Sequence, residues 1–179
     1  VPRIIAGEFK GRVLRSPKGN QIRPTLDRVK ESLFSILGHD LSGNYVIDLF
    51  AGTGSLGLEA LSRGAQHAVL VEKEHGPLDA IRENIETLGV RERVTVIPLA
   101  VLRVIPSLPA ADLIFCDPPY ALADLDEVIS GLFLSGKLKP GGTLVLETRA
   151  TRKVATPPNA TLFDERIYGD TKLLFYKCA

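Results

Sequence analysis

Tyr45-Val46-Ile47-Asp48-Leu49-Phe50 runs straight into Ala51-Gly52-Thr53-Gly54-Ser55-Leu56-Gly57. The first six residues are apolar except for Asp48, the composition of a strand buried on both faces. Gly52 and Gly54 permit a sharp turn and close approach of a ligand to the backbone. Leu56, Leu58, Ala60 and Leu61 then follow at helical spacing until Gly64 stops them. A buried strand, a glycine turn and a helix open a βαβ unit, and the same order recurs downstream. Strands are expected at 68–72, 94–97, 111–116 and 143–147, and helices at 77–88, 101–108 and 125–133, with a turn at 139–142 before the last strand. That alternation implies an α/β fold with right-handed crossovers: a mainly parallel sheet with helices on both faces. The rhythm breaks at the end. Residues 163–168 and 172–177 are strand-like and joined by Gly169-Asp170, which makes them an antiparallel C-terminal hairpin and brings the sheet to seven strands.

Upstream of residue 44 the pattern differs. Arg3-Ile4-Ile5-Ala6 and Arg12-Val13-Leu14-Arg15 flank Gly7-Glu8-Phe9-Lys10-Gly11, which reads as a small N-terminal β-hairpin extension. A loop over 16–20 follows. A helix then begins with Thr25 as its cap and Asp27 in its first turn, and carries Leu26, Val29, Leu33, Phe34 and Leu37 on one face until Gly38. The chain therefore divides into a basic arm, residues 1–22, and a larger unit, residues 23–179.

The 179 residues suffice for one domain with a substantial core. No apolar run reaches 18 residues, so no membrane span is expected. Cys116, Cys178 and the three histidines lack ligand spacing, which leaves no metal site to expect. With no signal-peptide pattern and isolated cysteines, a cytoplasmic location is expected. No exposed apolar stripe stands out, so a monomer is expected. Net charge is +1 overall, but residues 1–31 hold eight basic residues against three acids, and the remainder is net acidic. A basic arm on an acidic body suits a polyanion, although a solvated surface segment would have the same composition.

Two loops carry the chemistry. The glycine loop and Glu72, 20 residues after Gly52, match a dinucleotide fingerprint as well as a site for S-adenosylmethionine (AdoMet), with Glu72 placed to accept ribose hydroxyls. Asp48 separates the two: a fixed anion at the strand's carboxyl end repels a pyrophosphate but can hold an ammonium, directly or through water. The alternative for Asp48 is a cap on the loop's own amides. The second loop, Asp117-Pro118-Pro119-Tyr120, ends the strand at 111–116 and opens on the same crevice. It offers a carboxylate, proline carbonyls free of a donor, and a ring on which a flat base can stack. Nothing there is suited to take a hydride, so AdoMet and amino methylation are the preferred reading.

On these motifs the chain resembles the class I AdoMet-dependent methyltransferases, a Rossmann-like fold. More closely it resembles the RsmD-type 16S rRNA guanine-N2 methyltransferases. The likeness runs through Arg3-Ile4-Ile5-Ala6-Gly7, Gly11-Arg12, Arg23-Pro24-Thr25-Leu26-Asp27-Arg28-Val29-Lys30-Glu31, Asp48 to Gly54, Asp117 to Tyr120 and Tyr168-Gly169-Asp170-Thr171. It implies methyl transfer to the 2-amino group of a guanosine in 16S rRNA, presented as free rRNA, an assembly intermediate or the small subunit. Asp117, Pro118 and Tyr120 are then catalytic, and Asp48, Phe50, Gly52, Gly54, Glu72, Lys73, Leu99, Ala100 and Asp117 line the cofactor. Arg3, Lys10, Arg12, Arg15, Lys18, Arg23, Arg28, Pro119 and Tyr120 would meet the substrate. Arg23 and Arg28, with Thr25, could instead contact the AdoMet carboxylate or brace their helix. Tyr168 and Thr171 are expected to be structural. One departure is noted: Ala100 stands where family members place an acid that meets the adenine amino group. The alternatives are adenine N6 or a protein glutamine amide as acceptor, a dinucleotide-dependent oxidoreductase, and an RNA-binding domain with a degenerate site.

Overall fold

The computed structural model describes residues 1–17 and 24–179, with the side chains of 24–26 outside that description. Lys18 and Arg23, both expected to meet substrate, and the proposed Thr25 cap therefore lie outside the described residues. Helix α1 spans Pro24–Leu37. Then come β1 (Tyr45–Leu49), α2 (Ser55–Ser62), β2 (His67–Val71), α3 (His75–Leu88) and β3 (Val94–Ile97). The short α4 (Val101–Val104) passes into a 3₁₀ turn, Ile105–Ser107, before β4 (Ala111–Cys116) and α5 (Leu125–Leu134). The chain closes with β5 (Leu138–Arg149), β6 (Ala160–Tyr168) and β7 (Thr171–Cys178). The seven strands form one sheet in the order β3-β2-β1-β4-β5-β7-β6. The first five are parallel, and β7 runs antiparallel to both β5 and β6.

Strand alternation sends two sets of apolar side chains to opposite faces of the sheet. One face carries Val46, Leu70, Phe115, Val145 and Phe175 against α1, α2 and α3, with Phe34 packed edge-on to Phe115 at 5.6 Å between centroids. The other carries Ile47, Val69, Ile114, Leu144 and Leu174 against α4 and α5. No helix of the described residues is long and apolar enough to cross a membrane.

Two local expectations change. The segment 139–142, read as a turn, belongs to β5: the strand starts at Leu138, pairs with Ala111, and absorbs Pro140 and Gly141 (φ 74°) in a register shift. The N-terminal hairpin is reduced to one bridge, Arg3 to Val13. Its shape is kept by Ile4 N–H to the Arg12 carbonyl, Gly11 N–H to the Ile4 carbonyl and Leu14 N–H to the Pro2 carbonyl. Ile4 and Leu14 are buried in the core beside α1 and α2, so the arm is packed rather than free.

Candidate active site

Parallel register decides what the crevice contains. Asp48 pairs with Phe115 across β1 and β4, and Cys116 pairs with Leu146 across β4 and β5. One residue further on, Asp117 and Glu147 stand abreast at the carboxyl ends of neighbouring strands. All three carboxylates share the face that carries Val46, Phe115 and Val145, and all three line one cavity of about 290 Å³. Pro2, Ser16 and Pro17 of the arm and Asp27, Val29, Lys30 and Leu33 of α1 also line it. A second cavity of about 480 Å³ is lined by Glu72, Lys73, Leu99, Ala100, Pro118, Pro119 and Asp124. Phe50, Pro77 and Asp117 line both, so the two join into one crevice.

The glycine loop is held by its own carboxylates. Asp48 is buried and accepts the Gly57 N–H at 2.9 Å. Burial pushes its carboxyl up to about 7 against the pull of that amide, and the nearby charge of Glu72 adds to the rise. Glu72 accepts Gly52 N–H at 2.9 Å through one oxygen, and Lys73 and Glu74 N–H at 2.8 and 2.9 Å through the other. Gly57 has no room for a side chain: a Cβ there would lie 2.3 Å from Leu70 Cδ2. Gly52, at φ 57°, faces open space. Phe50 adopts φ 58°, a left-handed conformation costly for a bulky side chain, at the junction of the two cavities.

Behind the loop lies a buried ionic knot that sequence reasoning did not see. Glu59, fully buried, accepts Ile5 N–H (2.9 Å), Ala6 N–H (3.0 Å) and Arg63 Nε (2.9 Å), and pairs with Lys30 Nζ at 2.9 Å. Lys30 Nζ also donates to the Arg3 carbonyl (2.8 Å) and Ser55 Oγ (2.9 Å), so its donors are spent within the protein. Its pKa is lowered by burial, which the pairing with Glu59 opposes. Asn84 makes a second tie, donating to the carbonyls of Arg15 (3.1 Å) and Thr53 (3.0 Å) and accepting Arg15 N–H (2.6 Å). The arm, α1 and the glycine loop thus share polar groups. Glu59 and Asn84 could have been suspected only as polar residues on the apolar stripes of their helices.

The acceptor half is built differently. Among the described residues no hydrogen bond shifts Asp117 or Glu147: crowding by protein, then the charges of Glu147 and Asp48, raise the Asp117 carboxyl, and burial raises Glu147. Asp117 remains exposed on its crevice side, and that access to water tempers its rise. Leu122 N–H closes a turn on the Pro119 carbonyl at 2.9 Å, leaving the Pro118 carbonyl outside that bond. The turn swings Tyr120 to the rim, where it lines neither cavity. Its hydroxyl lies 3.3 Å from Thr171 Oγ1, and the Arg149 guanidinium sits 5.0 Å from the ring centroid. Arg152 donates to the Tyr120 carbonyl at 3.2 Å. Thr171 thereby gains a part in placing the ring, while Tyr168 bonds Ser32 of α1.

The substrate-facing cations expected in the arm are distributed over the surface. Arg3 pairs with Asp27 at the cavity mouth (3.1 Å), Arg12 donates to the Thr87 carbonyl (2.8 Å), and Arg15 pairs with Glu83 (2.6 Å). Lys10 is exposed on the turn, and exposed Arg28 borders a separate groove with Tyr168 and Gly169. At Ala100 no acid is present, yet Asp124 lines the same cavity and makes no side-chain cap to α5.

The site's donor set fits AdoMet. Carboxylates stand at both strand ends, Lys30 is already paired, and the loop glycine facing the cavity leaves open space. Sheet order, glycine loop and Asp-Pro-Pro-Tyr together define a class I AdoMet-dependent methyltransferase. Residues 2–177 match the family model described as Conserved hypothetical protein 95, and the chain belongs to this family, that of the RsmD-type methyltransferases. Ribosomal RNA small subunit methyltransferase D of Haemophilus influenzae is 36% identical over 179 residues, covering 98% of this chain and 93% of its own. Its Escherichia coli namesake is 33% identical over 176 residues, covering 98% and 89%. The solved structure of yhhF from Escherichia coli superposes with a TM-score of 0.89 at 32% identity, covering 98% of this chain and 97% of the other. The fold alone is shared with the Thermus thermophilus 16S rRNA N2 G1207 methyltransferase (RsmC), solved with AdoMet and guanosine. There the TM-score is 0.70 at 20% identity, with 90% of this chain and 45% of that one covered.

Proposed function

We propose that this protein methylates small-subunit ribosomal RNA, and that the acceptor is the exocyclic 2-amino group of a guanosine. The observation that carries the reading is the position of Asp117 on both cavities of one crevice, with Asp48 and Gly52 in the one and Glu72, Pro118 and Pro119 in the other. The rRNA methyltransferase relatives covering nearly the whole chain support the RNA substrate. Glu72, Lys73, Leu99 and Ala100 would hold the adenosine end of AdoMet, and Asp48, Phe50, Gly52 and Gly54 the methionine end. When bound, AdoMet supplies a methyl group activated by the sulfonium.

The guanine amine is a weak nucleophile because its lone pair is delocalised into the ring. Asp117 and the Pro118 carbonyl accept its N–H bonds, which favours a pyramidal nitrogen and stabilises the positive charge that develops there. Asp117 takes the proton at its carboxylate oxygen late in the reaction. Tyr120, braced by Arg149 and Thr171, stacks on the base and fixes its approach, while Pro119 stiffens the loop. The guanosine must leave its own stack to arrive. Arg3, Lys10, Arg12, Arg15, Lys18, Arg23 and Arg28 meet phosphates, so binding weakens as salt rises. The protein acts in the cytoplasm as a monomer. Methylating rRNA from a strain that lacks the protein and mapping the product by mass tests the reading: N2-methylguanosine at one position is expected, and N6-methyladenosine instead overturns it.

A further inference from the structure

Glu147 belongs to none of the motifs that define the site, yet it stands beside Asp117. Their adjacency follows from the β4–β5 register, and both side chains line the cavity that also holds Asp48. Asp48 is engaged by the Gly57 amide, whereas neither Asp117 nor Glu147 shows a hydrogen-bond contribution from any described residue. No metal-holding group of His, Cys, Asp or Glu occurs among the described residues. Two open, adjacent carboxylates therefore await a partner with two adjacent donors.

We infer that Glu147 is the specificity-determining residue that reads guanine, accepting the N1–H while Asp117 accepts the 2-amino group. The inference rests on the guanine-N2 reading above and supplies its selectivity. Guanine presents N1–H and the 2-amino group side by side on its Watson–Crick edge. Adenine presents its amino group beside a bare N1 lone pair. An ionised carboxylate only accepts hydrogen bonds, so the second position attracts guanine and repels adenine. Asp117 alone would serve either base. Burial raises both carboxyls, and the charge of Glu147 adds to the rise at Asp117; two approaching N–H donors favour the ionised forms against that cost.

Glu147→Gln in the full chain tests the assignment. Wild type and variant are compared on small-subunit rRNA carrying guanosine or 2-aminopurine at the mapped nucleotide. The analogue keeps the 2-amino group but has a bare N1. Wild type is expected to prefer guanosine in kcat/KM by on the order of 10⁴–10⁵, the range over which a site built for an N–H rejects its absence. The glutamine amide can accept N1–H through its oxygen or donate to a bare N1 through its nitrogen, so the variant should gain activity on 2-aminopurine and reduce that preference at least about tenfold. S-adenosylhomocysteine should still bind the variant by calorimetry, since the adenosine-end residues Glu72, Lys73, Leu99 and Ala100 are unaltered. An unchanged preference between the two RNAs overturns the inference and leaves the guanine reading standing. Wild type accepting 2-aminopurine as readily as guanosine overturns it whatever the variant does. Absence of N2-methylguanosine from the wild-type product instead overturns the reading on which it rests.

Discussion

The two halves of the crevice use carboxylates in opposite ways. In the glycine-loop half, Asp48 gives one oxygen to the Gly57 amide, Glu72 gives both to the amides of Gly52, Lys73 and Glu74, and Glu59 behind them is enclosed by four donors. In the acceptor half, Asp117 and Glu147 crowd each other with no such donors among the described residues. Carboxylates tied to backbone amides hold a loop in one shape and pre-organise a binding surface. Carboxylates left open carry electrostatic tension that an incoming donor relieves. One half is a scaffold and the other is poised for a substrate.

That contrast can be broken at either end. Asp117→Ala should lower turnover by about 10²–10³, the scale of losing one transition-state hydrogen-bond partner. It should leave RNA affinity nearly unchanged in a filter-binding assay and should not lower the melting temperature. Unchanged methylation would place the chemistry elsewhere. Glu59→Ala attacks the scaffold, stranding Lys30 and Arg63 without their carboxylate. Removing one member of a buried ion pair costs about 3–5 kcal/mol, read as a fall of about 10 °C in Tm. A smaller fall would show that water replaces the lost oxygens.

The Asp48→Asn variant separates stability from function. Burial raises Asp48 from the ordinary carboxylate range to about 7, so within that window the native state binds the proton more tightly than the unfolded chain. Native stability therefore falls as pH rises through it. Asparagine has no such slope and keeps an oxygen for Gly57 N–H. The variant's Tm relative to wild type should rise between pH 4.5 and pH 8, roughly the span of the window, while its affinity for AdoMet falls. A pH-independent difference would mean that Asp48 is not raised. The smallest effect is expected at the rim. Arg149→Gln removes a cation from the Tyr120 ring, about 0.5–1 kcal/mol at an exposed site, and should raise KM for rRNA about threefold with kcat little changed. A fall in kcat alone would put Arg149 nearer the reacting atoms.

Much of this was legible along the chain. The strand at 45–50, its glycine turn and the alternation that follows give the sheet and its helices, since periodicity reports which faces are buried. The pairing of Gly169-Asp170 with its flanking strands gave the hairpin. The segment 139–142 misled because Pro140, Gly141 and Gly142 carry turn chemistry, which an edge-like register shift in β5 accommodates. The N-terminal hairpin was overdrawn because its apolar residues pack inward against α1 and α2 rather than along a ladder.

The sequence by itself determined the fold class, the glycine loop and the acid-proline-proline-aromatic loop, because each is a local pattern whose chemistry is complete within about ten residues. Only the tertiary structure decided that Glu147 joins Asp117, that Glu59 and Lys30 bind the arm to the glycine loop, and that Arg149 and Thr171 hold Tyr120. Each of those depends on strand register or helix packing between residues more than 20 positions apart. A lone Glu at a strand end looks the same in sequence whether it faces solvent or a substrate; its neighbour across the sheet makes the difference.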